Sequence, residues 1–314
     1  ENVLIDGERI ASKATDARTA LARIAASDVA HIDIVDGASL NVPGLTGQVA
    51  NVVLVAGRQG GGGFKTTLRW QPEWRSRLAN NWLNGEISTT GRIGGTGVTL
   101  SLKNEATRQG HWGPERVFDG AGALRFVRDE HASYYNDPPR LSAALTRTTA
   151  NGNKWNASVG GQLQRIATRT RGESVQPGLG RVDELFTVTE DEYNYDIGGD
   201  YELGLAGGRL KLIALYRFEH SPFVDTFIVD RAVGGRSGER FSQTADEGES
   251  ILRGEYGWRT AGGTDWQVAL EGAYNTLDVD AEYALLQADG SFLPVAFGGE
   301  RTEVEERRAE ASLT

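Results

Sequence analysis

The side chains with the greatest capacity for chemistry in this sequence are four histidines and several small groups of carboxylates. The histidines lie far apart, and none stands at the spacing of a metal-ligand pair. His111 and His131 share one long polar segment and could meet there, although solvated histidines explain the same pattern. No serine, histidine and carboxylate are grouped as a nucleophilic triad requires, so the sequence predicts no catalytic residue, no cofactor and no enzyme. The remaining two are His31 and His220.

Carboxylates gather near the ends of the predicted strands. Oxygen ligands of this kind hold hard divalent cations, so the clusters could bridge a cation to anionic lipopolysaccharide or form a cation site. Solvation of a loop is the simpler explanation of any single cluster, and the sequence leaves the question of a metal open. The clusters are Glu190 to Glu192, Asp225 with Asp230, Asp246 with Glu247, and Asp278 with Asp280.

Five aromatic residues stand in long polar segments, where no core requires them. Exposed rings of this kind often mark a binding surface, so they are candidate contacts for an extracellular ligand. Packing of loops against one another explains them equally well. The five are Trp112, Tyr134, Tyr135, Phe223 and Tyr283.

Two glycine-rich stretches resemble nucleotide-binding loops without meeting their requirements. Residues 60–66 would need glycine directly before Lys65 to cradle a phosphate, and Phe64 occupies that position. Residues 91–97 lack the spacing and the helix of a dinucleotide fingerprint. The first stretch is therefore interpreted as a hinge and the second as a turn.

The elements that position these residues are strands whose side chains alternate in polarity. Between Asp265 and Asn275 one series is apolar and the interleaved series is mostly polar. A pleated strand directs successive side chains to opposite faces, so one face suits hydrocarbon and the other suits water. From Phe64 onward this pattern recurs about ten times. The two series are Trp266, Val268, Leu270, Gly272 and Tyr274, and Gln267, Ala269, Glu271, Ala273 and Asn275.

Composition limits the class of protein. Apolar residues make up 39% of the 314 residues and charged residues 24%, with 41 Gly and only 8 Pro, which excludes a disordered or collagen-like chain. The net charge of −10 argues against binding nucleic acid through its phosphates. No apolar run is long enough for a membrane helix, but a membrane barrel is still allowed. The absence of cysteine excludes thiolate chemistry and fits an envelope protein.

Short and long connections alternate along the chain. Turn-forming pairs at 94–95, 151–152, 207–208 and 262–263 are spaced by 57, 56 and 55 residues. Long polar segments lie between and beyond them, at about 108–139, 170–189, 221–248 and 281–302. This alternation is typical of an outer-membrane barrel with short periplasmic turns and long external loops. Solenoids and propellers have repeats of similar length, but their dry cores disfavour a charged second face.

Three tryptophans lie within a few residues of a short turn, namely Trp155, Trp258 and Trp266. On a barrel this is the position of a periplasmic aromatic girdle, because an amphipathic ring prefers the membrane interface. Strand propensity alone predicts no such bias toward one end. Val268, Leu270 and Tyr274 are accordingly expected to face lipid.

Residues 1–57 follow a different pattern. The segments 3–5, 29–35 and 49–55 are predicted strands, and Thr15 can cap a predicted helix over about 16–24. A glycine-rich break follows at 57–63. The sequence therefore divides into a small α+β unit at 1–57, a linker at 58–65 and alternating strands at 66–314.

An α+β unit followed by a large alternating domain resembles the TonB-dependent outer-membrane receptors and transporters. The segments VLIDGERI at 3–10, LARI at 21–24, SDVAHIDIVDG at 27–37 and GQVANVVL at 47–54 are similar to the plug of that family, and PERVFDG at 114–120 is similar to a loop of one subgroup. The family's plug is longer, follows a TonB-contacting box and precedes a barrel of about 22 strands. The sequence is therefore expected to be a segment of a larger protein, cut at both ends.

The resemblance implies an all-β membrane fold, an antiparallel transmembrane β-barrel preceded by a partial α+β plug domain. It implies a receptor in the outer membrane of a Gram-negative bacterium that imports a scarce solute such as a ferric siderophore, cobalamin or an oligosaccharide. Its partners would be outer-membrane lipid and lipopolysaccharide, the TonB energy-transducing complex and a small-molecule or metal-chelate ligand. Two other classes stay open: a passive porin or structural barrel, and a soluble secreted β protein that binds a partner through its loops.

Overall fold

The computed structural model describes residues 2–5, 8–9, 21, 24, 26, 29–37, 47–55 and 64–314. These residues form a sheet of four short strands near the N-terminus and a sheet of thirteen strands in the remainder. The predicted linker lies outside the described residues except for Phe64 and Lys65, and the predicted helix at 16–24 lies outside them except for Leu21 and Ile24. No helix in the described ranges is long and apolar enough to cross a membrane.

The N-terminal sheet contains β1 (Val3–Ile5), β2 (Glu8–Arg9), β3 (Val29–Asp36) and β4 (Gln48–Leu54). Its order is β2-β1-β4-β3, with β1 parallel to β4 and the other pairs antiparallel. Leu4 and Val49 are fully buried, and Val35 packs against them. Ile32 and Ile34 alternate to the opposite face and are exposed. The three strands predicted in this region are confirmed to within one residue.

The large sheet is antiparallel throughout. Its order is β16-β15-β14-β13-β12-β11-β10-β7-β6-β5; β17 pairs with β15, and β9 pairs with both β8 and β11. Its strands are β5 (Lys65–Trp70), β6 (Gly85–Ile93), β7 (Thr96–Asn104), β8 (Thr107–Phe118), β9 (Leu124–Asp137), β10 (Pro139–Thr148), β11 (Lys154–Gln176), β12 (Gly180–Leu205), β13 (Gly208–Arg231), β14 (Gly235–Arg259), β15 (Asp265–Leu286), β16 (Phe292–Pro294) and β17 (Arg301–Leu313).

Some of these strands are continuous. β7 and β8 form a single strand with a short interruption, and so do β9 and β10. The reason is that β7 pairs with β10 in the same register in which β8 pairs with β9. The second interruption falls at Pro138, which has no N–H to donate to the ladder. With the three-residue β16 set aside, ten strands cross the described sheet, the number that the alternation indicates. Within the described residues β5 and β17 do not pair, so this sheet is open.

All four predicted tight turns are present. They join β6 to β7, β10 to β11, β12 to β13 and β14 to β15. Gly94 and Gly95 have φ of 55° and 82°, as a two-residue hairpin turn with positive φ at both positions requires. The third turn lies one residue earlier than predicted, at Ala206 and Gly207, with φ of 46° and 81°.

The long polar segments are not long loops, which corrects the prediction. Strands β11 to β15 contain 22 to 26 residues each and continue through these segments. The connections at this end shorten to 119–123, 177–179, 232–234 and 287–291, and a further stretch at 295–300 precedes β17. Apolar and polar side chains still alternate along the extensions, but the apolar ones now lie on the opposite face of the sheet. The apolar series that marks each predicted strand therefore ends before the strand does.

The large sheet has two faces, and each face has two halves. The Trp266 face carries Trp266, Leu270 and Tyr274, and the Gln267 face carries Gln267 and Glu271. The ladders joining β10 to β15 contain no register shift, so each face keeps its identity from one end of a strand to the other. The half beside the four tight turns is the turn-proximal half, and the opposite half is the distal half.

Candidate functional site

The turn-proximal half of the Trp266 face is apolar and exposed. Leu252, Leu270 and Val159 leave 65%, 62% and 50% of their surfaces open. Isolated exposed apolar side chains are ordinary, but a patch that crosses many strands marks a surface that another apolar medium covers. Further exposed members of this apolar band are Leu68, Ile87, Leu102, Leu141, Leu163, Ile197 and Leu212.

Aromatic rings border the apolar band beside the tight turns. Trp258 and Trp266 are register partners with ring centroids 6.4 Å apart, and Tyr256 stacks on Trp258 at 5.5 Å. Trp155 pairs in register with Tyr201. The three tryptophans predicted for this end therefore share one face. The other residues predicted for that face lie on it as well: Val268, Leu270 and Tyr274.

A second aromatic row, which the sequence analysis missed, borders the band on its distal side. Tyr195 lies 5.5 Å from Phe218 and 6.0 Å from Tyr216 between ring centroids, and Tyr193 lies 6.3 Å from Phe218. From Tyr201 to Tyr193 the strand rises about 27 Å. The signal that could have revealed this row is the aromatic residue that ends the apolar series of three strands: Tyr193 on β12, Phe218 on β13 and Tyr274 on β15.

The connection between β5 and β6 extends this aromatic border. Trp74 and Trp82 stack at 6.1 Å, and Trp70 donates its indole N–H to the carbonyl of Trp82 over 2.7 Å. All three rings are more than half exposed. Aromatic rings with one polar edge favour the boundary between an apolar medium and water.

The polarity of the two faces exchanges in the distal half. On β15 the Trp266 face continues with Asp278, Asp280 and Glu282, whereas the Gln267 face continues with Val279 and Ala281. Since the register does not shift, the side chains change while the geometry stays constant. On β15 the Trp266 face is therefore apolar mainly in its turn-proximal half, and the Gln267 face is apolar mainly in its distal half.

All five aromatic ligand candidates lie on strands rather than in loops. Trp112 and Tyr135 lie on the Trp266 face, where Arg77 and Arg108 stand over their rings at 4.9 and 5.4 Å. Tyr134 neighbours Tyr135 in sequence and therefore lies on the Gln267 face. The structure does not bring these three together with the other two, Phe223 and Tyr283, which lie on the distal Gln267 face.

A distal aromatic cluster forms around Phe241, which the sequence analysis missed. Its ring centroid lies 6.5 Å from that of Phe223 and 6.3 Å from that of Phe297, and Tyr283 is its register partner. Phe297 remains 45% exposed, so a ligand can reach the cluster. Half-buried rings beside a few polar groups are the usual lining of a small-molecule site. The distal aromatic cluster comprises Phe223, Phe241, Tyr283 and Phe297.

A polar group fixes one edge of this cluster. The Tyr283 hydroxyl donates a hydrogen bond to the carboxylate of Glu239, and this bond together with the nearby negative charge raises the pKa of the phenol. Because the pKa is raised in the folded protein, the hydrogen bond to Glu239 contributes fully to stability below the ordinary pKa of tyrosine. That contribution is lost as the pH rises through the higher pKa.

Replacement of Tyr283 by phenylalanine is therefore expected to remove one late-titrating phenol. The difference between the alkaline titrations of wild type and Tyr283→Phe, followed by phenolate absorbance, should show a group that ionises above the ordinary tyrosine range. Glu239→Gln should return that group to the ordinary range. If the missing phenol titrates normally in the wild type, the hydrogen bond to Glu239 is absent in solution.

The turn-proximal half of the Gln267 face carries a network of ion pairs. Arg253 contacts Glu255 at 2.7 Å and Glu271 at 3.1 Å, and Arg308 of β17 reaches Glu271 at 3.3 Å. Such charges have no place against hydrocarbon and indicate contact with water or a polar domain. The two faces of one strand segment are therefore adapted to opposite media.

Two arginines on the same face tie three strands together. Arg128 of β9 passes over Gly172 of β11 to Glu184 of β12, and Arg140 of β10 passes over Gly160 to Asp196. A Cβ at Gly172 would lie 2.6 Å from Cδ of Arg128, so glycine leaves the crossing free. Sequence spacing could have suggested the motif, because the arginines, glycines and carboxylates are each separated by 12 residues.

The histidines and carboxylate clusters do not assemble into a metal site. His111 and His131 lie on opposite faces of the β8–β9 hairpin, which removes the suggestion that they meet. His220 instead lies 2.6 Å from Asp246. No group of three or more potential metal ligands occurs in the described part of the chain.

Neither a scan of protein-family models nor searches of curated proteins and of solved structures finds a match to this chain.

Proposed function

We propose that this chain is part of a TonB-dependent outer-membrane receptor that takes up a scarce solute. The observation that carries the proposal is the exposed apolar band, bordered by aromatic rings at both ends and backed by the ion-paired Gln267 face. A transmembrane barrel wall needs an apolar outer band about 25 Å tall with aromatic girdles and a polar interior. In the proposal the Trp266 face meets lipid, and the Gln267 face lines the lumen of a barrel of about 22 strands.

The length of the strands supports the same assignment. Crossing the hydrocarbon takes about 9–11 residues of a tilted strand, and β11 to β15 have 22 to 26. The excess would extend beyond the membrane, where the Trp266 face carries charged side chains because it meets water. The tight turns would then lie on the periplasmic side.

The ligand site of the proposal is the distal aromatic cluster. On the lumen side beyond the membrane, Phe223, Phe241 and Phe297 would contact an apolar or aromatic part of the solute. Residues 1–57 would form part of a plug that closes the lumen and that the TonB complex releases. The resemblance of residues 3–54 to plug segments supports this role.

Two other functions make different predictions. A soluble β protein has to cover the apolar band with another element, and no described residue does so. A passive porin has the same apolar band, but needs no plug. The first test therefore asks whether the apolar band meets lipid, and the second asks whether residues 1–57 close the lumen.

The first test places single cysteines on opposite faces, which the absence of native cysteine makes clean. Spin labels at Val159, Leu252 or Leu270 of the full-length protein in vesicles should be accessible to oxygen and shielded from a water-soluble relaxant. Labels at Ser158, Arg253 or Gln267 should show the opposite preference. Equal access to the aqueous relaxant on both faces would end the membrane assignment.

The second test is conductance across a planar bilayer. The full-length protein should be nearly closed, and deletion of residues 1–57 should open a pore if these residues plug the lumen. A passive porin would conduct before the deletion and change little after it. That result would replace the receptor proposal by the porin alternative.

A further inference from the structure

Three carboxylates border the distal aromatic cluster on the Gln267 face. Glu190 is the register partner of Phe223, and Asp225 is the register partner of Phe241. Glu239 lies two residues before Phe241 and therefore on the same face. None of the three carboxylates forms an ion pair with another residue in the described part of the chain.

Neutral donors occupy these carboxylates only in part. The hydroxyl of Ser221 donates to Glu190 over 2.7 Å, and the backbone N–H of Phe241 donates to Asp225 over 3.3 Å. The third carboxylate accepts the tyrosine hydroxyl described above. A carboxylate offers about four acceptor positions, so each has room for further donors, and no neutral donor cancels its charge.

The part of the Gln267 face level with the cluster contains no cationic side chain. Strand register aligns five segments there: 164–170, 186–192, 221–227, 239–245 and 279–285. The side chains that they direct to this face include four carboxylates and no lysine or arginine, which gives a net charge of −4. The four are Glu190, Glu192, Asp225 and Glu239.

The neighbouring arginines of this face are engaged or distant. Arg217 contacts Glu219 at 2.6 Å, and Arg128 contacts three glutamates. Arg231 lies at the end of β13, about 20 Å beyond Asp225 along the strand. The distal aromatic cluster therefore lies in a region of uncompensated negative charge.

The rings of the cluster also lack a cation. Arginines stand over four rings of the Trp266 face, with 4.6 to 5.6 Å between the guanidinium carbon and the ring centroid. Among the described residues no such contact involves the distal aromatic cluster. Its ring faces are therefore free to attract a cation from a ligand.

A hard metal ion does not suit this arrangement. The three bordering carboxylates lie on three different strands, and the described residues contain no group of three or more potential metal ligands. An organic cation spreads its charge over a larger body, so it can contact separated carboxylates and the ring faces together.

We propose that the distal aromatic cluster binds its solute through an organic ammonium group and disfavours anionic solutes. This inference rests on the proposed function, which makes the cluster the ligand site, and it narrows the class of solute. An ammonium group donates charge-assisted hydrogen bonds to carboxylates such as Glu190 and Asp225 and is attracted to the faces of Phe223 and Phe241. An anionic metal chelate would meet four carboxylates and no free cation at this level.

The test uses three probes that share a phenyl ring and differ in charge: 2-phenylethylammonium, 2-phenylethanol and 3-phenylpropionate. In calorimetric titrations of the full-length protein in a nonionic detergent, the ammonium probe should bind about tenfold more tightly than the alcohol. The propionate should bind more weakly than the alcohol. The E190Q/D225N variant should lose about tenfold in affinity for the ammonium probe and keep its affinity for the alcohol.

A matched control removes two charges from the opposite face. Asp191 and Asp246 lie on the Trp266 face, beside Arg165 and His220, and D191N/D246N should leave binding of all three probes unchanged. The F241L variant should weaken binding of both the ammonium probe and the alcohol, because it removes a ring that both contact.

The possible failures separate the two proposals. Equal affinity for the three probes, or equal loss of ammonium binding in E190Q/D225N and D191N/D246N, would overturn this inference alone. Binding of no probe would overturn the inference together with the cluster as a ligand site. A full-length protein that stays dispersed without detergent would overturn the proposed function, whatever its preference among the probes.

Discussion

Replacement of Leu270 by arginine is expected, if the Trp266 face meets lipid as proposed, to destabilise the protein in lipid vesicles by about 2–4 kcal/mol. Leu270 lies in the middle of the apolar series of β15, between the aromatic positions Trp266 and Tyr274, and 62% of its surface is exposed. A charge there would have to leave water for hydrocarbon, which is costly at the centre of a bilayer. The measurement is a folding titration in lipid vesicles, read from the difference in gel migration before and after boiling.

The control is the same change on the other face. Gln267→Arg puts an arginine on the Gln267 face, where charged side chains already occur, and should be tolerated. The difference between the two variants isolates the medium that each face meets, because both change one residue of the same strand to the same side chain. Equal stability of the two variants in vesicles would contradict the assignment of the Trp266 face to lipid.

Replacement of Arg128 by methionine is expected to loosen the β8–β9 hairpin. Its guanidinium contacts Glu115 at 2.8 Å, Glu130 at 2.9 Å and Glu184 at 2.6 Å. In the described sheet β8 pairs only with β9. The contact of Arg128 with Glu184 adds a side-chain link from this hairpin to β12. Loss of the cation would leave three carboxylates close together, and should lower the free energy of local opening by about 1–3 kcal/mol.

The charge of Arg128 is secure at ordinary pH. Burial lowers the pKa of the guanidinium, but hydrogen bonds to Glu184 and Glu115 and their charges outweigh that effect and leave the pKa raised. The contribution of the charge is therefore complete at every pH below the ordinary pKa of arginine.

Hydrogen exchange over residues 107–137 is the appropriate measurement, because the hairpin can open without global unfolding. The control is Arg181→Met, which removes an exposed pair at the tip of β12 and should change exchange much less. Unchanged protection of the hairpin in Arg128→Met, at neutral pH, would show that backbone pairing alone holds it.

The short distal connections change where ligand specificity should reside. With the strands extending to connections such as 177–179 and 232–234, little of the distal end is irregular loop. In the proposed receptor a solute would meet strand side chains such as Phe223 and Phe241. Their spacing is fixed by the sheet register, so changes of specificity would come from substitutions on one face more than from loop length.

The sequence by itself determined the turn-proximal half of the sheet. The two series from Trp266 to Asn275, the tight turns such as Gly94–Gly95 and the position of Trp155, Trp258 and Trp266 beside those turns follow from local rules. A period of two and a pair of turn residues can be read from a few neighbouring letters, because the pleat and the hairpin geometry are properties of adjacent residues.

Only the tertiary structure decided the distal half and its contacts. The strands continue where the sequence indicated loops. After Tyr274 the apolar side chains lie on the opposite face of the sheet, so the alternation looks broken in the sequence although the strand register is unbroken. The cluster around Phe241 and the crossing of Arg128 over Gly172 to Glu184 join residues far apart in sequence. Which residues meet there depends on strand register and strand order, and these are set by pairing between strands rather than by any one segment.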